Sequence, residues 1–142
     1  LIMKKYIFII FILLFLGCGT TGGIPEVNVY CALPNNNDIY VFEFPDNQEN
    51  SNFIVFAQTK INTRVYWSSP DSFFVYQDSI STRTCIIDGI TESDSEEGIA
   101  ENIVEIDSSN IGDTVKVIGL VYGEDFSDDG SRSDTIDIVI NP

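Results

Sequence analysis

The chain has 142 residues, with 22 acidic and seven basic side chains and no histidine, for a formal charge of −15. Its length suits one domain once a targeting segment is set aside, and 44% hydrophobic and 12% aromatic residues suffice for a packed core. The charge disfavours nucleic acid and adsorption to anionic lipid, and the lack of histidine excludes Ser-His-Asp and Cys-His catalysis and His-ligated zinc.

At the N-terminus, Lys4 and Lys5 precede an unbroken apolar run over residues 6–16. At about eleven residues, the run has the length of a signal-peptide core and is too short to cross a ~30 Å hydrocarbon layer as a helix. It ends in Leu14-Phe15-Leu16-Gly17-Cys18. This pattern resembles the lipobox of bacterial lipoproteins, with Phe15 standing where that family prefers Leu. The resemblance implies a signal peptide over 1–17 and a lipid on Cys18. Residues 18–25, with Gly19, Gly22 and Gly23, then read as the lipidated cysteine and a flexible tether. Two or more acyl chains would hold such a protein stably on a membrane, where one chain holds it only marginally. The expected location is the cell envelope, on the outer membrane where the cell has two.

With Cys18 lipidated, Cys31 and Cys85 remain as an even pair in an exported, oxidising setting. Two readings fit them. A disulfide would close a loop of about 54 residues and add roughly 4 kcal/mol in the chain-entropy model. The alternative is two buried thiols, since Cys is among the most buried residue types.

From residue 26 onward the hydrophobic period is two. Val27, Val29, Cys31 and Leu33 alternate with Asn28, Tyr30 and Ala32. Further strands are predicted over 39–44, 53–59, 64–68, 73–77, 83–88, 102–106, 115–122 and 135–140. Gly, Pro, Asn, Asp and Ser separate them, and no segment carries a helical apolar stripe. Short strands at this spacing predict an all-β fold, a single antiparallel sandwich over 26–142. The acidic stretches 92–97 and 124–134 are placed in loops between strands.

The C-terminal segment carries Gly112-Asp113-Thr114-Val115-Lys116-Val117 and then Ser133-Asp134-Thr135-Ile136-Asp137-Ile138-Val139-Ile140. It resembles the last two strands of bacterial immunoglobulin-like domains, including the PKD-like kind. Trp67 falls on the third or fourth predicted strand, where such sandwiches often bury a tryptophan. The stretch Trp67-Ser68-Ser69-Pro70-Asp71 lacks the PKD signature, so the resemblance implies the immunoglobulin-like sandwich rather than that family.

No phosphate-binding loop, dinucleotide fingerprint or nucleophile elbow is present, and the expected role is non-catalytic: binding, adhesion or an accessory part in the envelope, with a protein or a glycan as partner. Two local groups invite ligands. Asp125, Ser127 and Asp129, followed by Gly130, match the first half of a calcium loop, although Ile136 holds the position of its final Glu; a solvated hairpin turn is the other reading. A Ca²⁺-dependent carbohydrate-binding module is therefore the alternative function. Tyr66, Trp67 and Phe74, with Phe73 and Tyr76, form an aromatic group that either covers the core or anchors a partner.

Overall fold

In the computed structural model, the described residues are 23–37, 39–69, 85–87, 89–123 and 130–142. The lipidation candidate Cys18, the tether up to residue 22, Phe74 and the candidate calcium ligands Asp125, Ser127 and Asp129 lie outside them. Ten strands are described: β1 (Asn28–Cys31), β2 (Asn35–Asn36), β3 (Ile39–Glu43), β4 (Asn50–Gln58), β5 (Arg64–Ser68), β6 (Cys85–Ile87), β7 (Ile90–Glu92), β8 (Ile99–Asp107), β9 (Thr114–Tyr122) and β10 (Ser131–Asn141). A 3-10 turn, Ser108–Asn110, joins β8 to β9.

The strands form two sheets, ordered β1-β4-β8-β6 and β2-β3-β10-β9-β5-β7. Period-two alternation turns one side of each strand inward, as in β9, where Val115, Val117 and Val121 are buried and Lys116, Ile118 and Leu120 are only half-buried. The inner faces meet in one core built from Val29, Phe53, Val55, Ala57, Ala100, Val104 and Ile106 on one sheet. Phe42, Val65, Trp67, Val115, Val117, Val121, Ile136, Ile138 and Ile140 face them from the other. Phe42 and Phe53 bridge the two sheets with ring centroids 5.2 Å apart. The result is an all-β sandwich in the immunoglobulin-like strand order, with β1-β4-β8-β6 facing β10-β9-β5.

Three features depart from the expected antiparallel pattern. Strand β10 pairs with β3 in parallel, from Asp137 opposite Ile39 to Asn141 opposite Glu43. The chain visits β6 on the four-stranded sheet before β7 on the six-stranded one. Strand β10 also begins four residues earlier than its hydrophobic alternation indicates, because Ser131–Asp134 continue the ladder against Gly119–Tyr122 without an apolar side chain.

The disulfide reading is corrected by strand order. Cys31 on β1 and Cys85 on β6 occupy opposite edges of the four-stranded sheet. Three interstrand spacings alone put them at least about 14 Å apart, and the register sets them in different rows, Cys31 level with Asn102 and Cys85 with Ile106, against roughly 4.4–6.8 Å between the Cα atoms of a disulfide. Cys31 is a free, buried thiol that donates to the Ile54 carbonyl at 3.0 Å. Burial pushes its pKa up, so it is held as the unreactive thiol.

The chain turns from one sheet to the other through a built corner. Asp107 caps the 3-10 turn by accepting from the Ser109 amide at 2.7 Å, and the buried Asn110 accepts from the Asp107 amide at 3.2 Å. This reciprocal box satisfies donors that the turn would otherwise orphan.

The sheets come into close contact at Gly119 on β9. A Cβ there would stand 2.7 Å from a methyl of Val29 and 3.6 Å from the Trp67 ring. Beside it, Asp134 reaches from β10 and accepts the Val29 amide at 2.7 Å, satisfying a donor on the free edge of β1. Gly119→Ala is expected to destabilise the domain by about 1–3 kcal/mol through overpacking, read as a lower midpoint in urea unfolding.

Candidate functional site

Alternation decides which aromatics reach the surface. On β5, Val65 and Trp67 point inward and Tyr66 outward. Trp67 is 2% exposed, and its indole N–H donates to the Thr91 hydroxyl at 2.8 Å. It is a core residue with its one polar atom satisfied, and this corrects its reading as part of a surface patch. Tyr66 does face outward, and its partner is a residue the sequence reading did not single out. Tyr122, at the end of β9, meets it edge-to-face with ring centroids 5.1 Å apart. The alternation of β9 carried a signal for it, since buried Val121 requires Tyr122 to face solvent.

These two rings line a cavity of about 250 Å³ at the end of the sandwich where the N-terminal segment enters. Pro25 contributes from that segment, Lys60, Ile61, Asn62 and Thr63 from the turn between β4 and β5, and Arg64 from the start of β5. Small apolar and aromatic cavities with a few convergent polar groups are the usual form of a ligand site.

The turn that walls the cavity is tied down. Asn62 occupies the left-handed region with φ 51°, a conformation that Asn tolerates better than most residues. Ser93, buried, accepts from the Thr63 amide at 2.8 Å and donates to the Lys60 carbonyl at 2.6 Å. The Ser93 amide donates to the Thr63 carbonyl at 2.9 Å. Thr59 donates its hydroxyl to the Glu26 carbonyl at 2.6 Å, tying the N-terminal segment to the same turn. The rim is therefore held before any ligand arrives, which lowers the ordering cost of binding.

The acidic loop 92–97 supports this wall. Asp94 gathers four backbone amides: Oδ1 accepts from Glu96 at 2.8 Å, Glu97 at 2.6 Å and Gly98 at 3.1 Å, and Oδ2 from Ile99 at 3.2 Å. Hydrogen bonds from the Glu97 and Glu96 amides hold its carboxyl below the usual aspartate range. Gly98 completes the loop at φ 74°, and a Cβ there would run into the Thr59 carbonyl. Among the described residues, no group of three His, Cys, Asp or Glu side chains could hold a metal ion. The segment 124–129 joins Gly123, which lines the cavity, to Gly130, and the Gly123 amide donates to the Gly130 carbonyl at 2.6 Å.

Together the fold and this cavity define a β-sandwich with an aromatic-lined end pocket. No protein-family model and no curated protein matches the chain. Among solved structures it is similar to one described as the structure of the N-terminal domain of PorA. The identity is 14% and the TM-score 0.41, covering 81% of this chain and 97% of that one. Among the described residues, no helix is long and apolar enough to cross a membrane.

The Asp94 bonds carry a pH dependence of known sign. The carboxyl pKa is depressed in the folded state, so its contribution is complete above the ordinary value of about 3.9 and is lost as the pH falls through the folded-state value. In an NMR titration, the Glu96, Glu97 and Gly98 amides are expected to shift together with a midpoint below that ordinary value; a midpoint at or above it contradicts the assignment.

Proposed function

We propose that the chain is an exported, lipid-anchored, non-catalytic module that binds a glycan of the cell envelope through the Tyr66–Tyr122 pocket. The observation that carries the reading is the construction of that pocket. Two outward tyrosines meet at 5.1 Å, and the rim turn beside them is pinned by the buried Ser93. Aromatic faces accept the C–H faces of a sugar ring, while the Asn62 amide, the Thr63 hydroxyl, Lys60 and Arg64 offer hydrogen bonds at the rim. The cavity is at the small end of ligand sites, which suits one ring of a longer chain.

The lipobox resemblance supplies the anchor, and chain length gives it a consequence. Pro25, on the pocket wall, is seven residues beyond Cys18. Seven extended residues reach at most about 25 Å. A lipid on Cys18 would hold the pocket near the membrane, where a surface glycan, rather than a distant partner, is within reach. The Ca²⁺-dependent variant of this reading draws on the place of the 124–129 segment directly after the pocket residue Gly123.

Full-length protein in detergent micelles, applied to an array of bacterial envelope glycans, tests the pocket. Tyr122→Ala is expected to weaken retention about tenfold or more and still to fold, because Tyr122 is 38% exposed and lies outside the buried core. Unchanged retention overturns the assignment, and loss of retention in EDTA with recovery in millimolar Ca²⁺ selects the calcium-dependent form. The anchor is tested separately: wild-type chain expressed in bacteria is expected to incorporate labelled palmitate and sediment with membranes, and Cys18→Ala to do neither.

A further inference from the structure

The four-stranded sheet presents an outer face with large apolar side chains at its centre. Its inward residues, Phe53, Val55, Ala57, Ala100, Val104 and Ile106, form the core, and alternation leaves the intervening positions to solvent, where a one-sided sheet ordinarily carries polar side chains. Here it carries large apolar ones. Ile54 on β4 lies directly opposite Ile103 on β8, and the two are 40% and 52% exposed. Two residues along β4, Phe56 lies opposite Tyr30 of β1, their rings stacked at 5.2 Å with planes 19° apart. These four side chains adjoin across three strands, making a continuous patch rather than scattered hydrophobic residues.

The charge around the patch has one sign. Glu101 stands opposite Phe56 and Glu105 opposite Asn52, both exposed on the same face of β8. None of the four strands of this sheet contains a Lys or Arg. The four basic residues among those described lie elsewhere: Lys60 in the pocket turn, Arg64 on β5, Lys116 on β9 and Arg132 on β10. Lys116 pairs with Asp137 at 3.4 Å on the six-stranded sheet, and Arg132 with Glu26 at 3.0 Å. The outer face of the four-stranded sheet is thus apolar at its centre, acidic along β8 and free of positive charge on its own strands.

We propose that this face docks a protein partner that presents an apolar anchor flanked by lysine or arginine. Ile54, Ile103 and the Tyr30–Phe56 stack receive the anchor, and Glu101 and Glu105 receive the cations. Buried aromatic and aliphatic anchors supply most of the affinity in such interfaces, and complementary charge supplies encounter rate and selectivity. A second copy of this chain fits poorly, because like faces would bring Glu101 and Glu105 against acidic residues and desolvate them unpaired. Anionic lipid is repelled for the same reason. The surface is separate from the pocket, so the proposal stands whether or not the pocket binds a glycan.

The test uses full-length protein in micelles and a labelled peptide of alternating lysine and leucine, with serine–leucine and glutamate–leucine peptides as controls. Binding is read by fluorescence anisotropy and by the isoleucine methyl resonances. The lysine–leucine peptide is expected to shift the Ile54 and Ile103 methyls; the controls are not. Ile103→Ser, at an exposed position, is expected to weaken binding about fivefold, and the pair Glu101→Lys and Glu105→Lys about tenfold or more. A control pair with the same change in net charge, Asp46→Lys and Asp113→Lys, is expected to alter it less than about twofold. Equal weakening by the control pair overturns the proposal, because binding then follows total charge. So do peptide-induced shifts that spare Ile54 and Ile103, or a dimer of the chain that Ile103→Ser dissolves.

Discussion

The domain depends on how closely its two sheets can approach, and that is settled at one missing side chain. Gly119 leaves the space that a methyl of Val29 takes from the facing sheet, with the Trp67 ring on its flank. Trp67 and Gly119 are cross-strand partners on β5 and β9, so the large ring covers the gap on its own sheet while Val29 fills it from the other. Interiors are close-packed, and a hole of this size is stable only when occupied. Asp134, opposite Gly119 on β10, then takes the Val29 amide. One position therefore joins β1, β5, β9 and β10.

The same packing sets the geometry of the pocket. With Trp67 committed to the core, period-two alternation sends Tyr66 outward. The pairing of Tyr66 with Leu120 places it diagonally from Tyr122, within reach of an aromatic contact. The wall is independent of that register. It comes from Ser93 and Asp94, whose hydrogen bonds fold the 92–98 loop onto the turn after β4. An acidic stretch that reads as solvated loop is in part a structural clasp.

Charge is divided between the sheets as well. An overall charge of −15 favours solubility and self-repulsion, but the four basic residues among those described lie on the six-stranded sheet and the pocket turn. The four-stranded sheet is left with acids beside an apolar patch. A sum over the chain conceals this division, because sheet membership follows strand order rather than sequence.

The sequence by itself determined the period-two strands and hence the sandwich. The span 64–68 coincides with β5, and 115–122 falls short of β9 by one residue, because β-branched and aromatic residues alternating with polar ones can bury only one face of an extended chain. The three-residue β7, Ile90–Glu92, was too short for any period to show, and Ser131–Asp134 of β10 lacked apolar residues to mark it. Tyr66 was visible as an aromatic, but its partnership with Tyr122, 56 positions away, was not. Only the tertiary structure decided that Cys31 and Cys85 stand on opposite edges, that Trp67 is core, and that Pro25, Lys60 and Arg64 share a cavity. Alternation is a local property of extended backbone, whereas these facts depend on which strands are neighbours, and that is set by contacts distant in sequence.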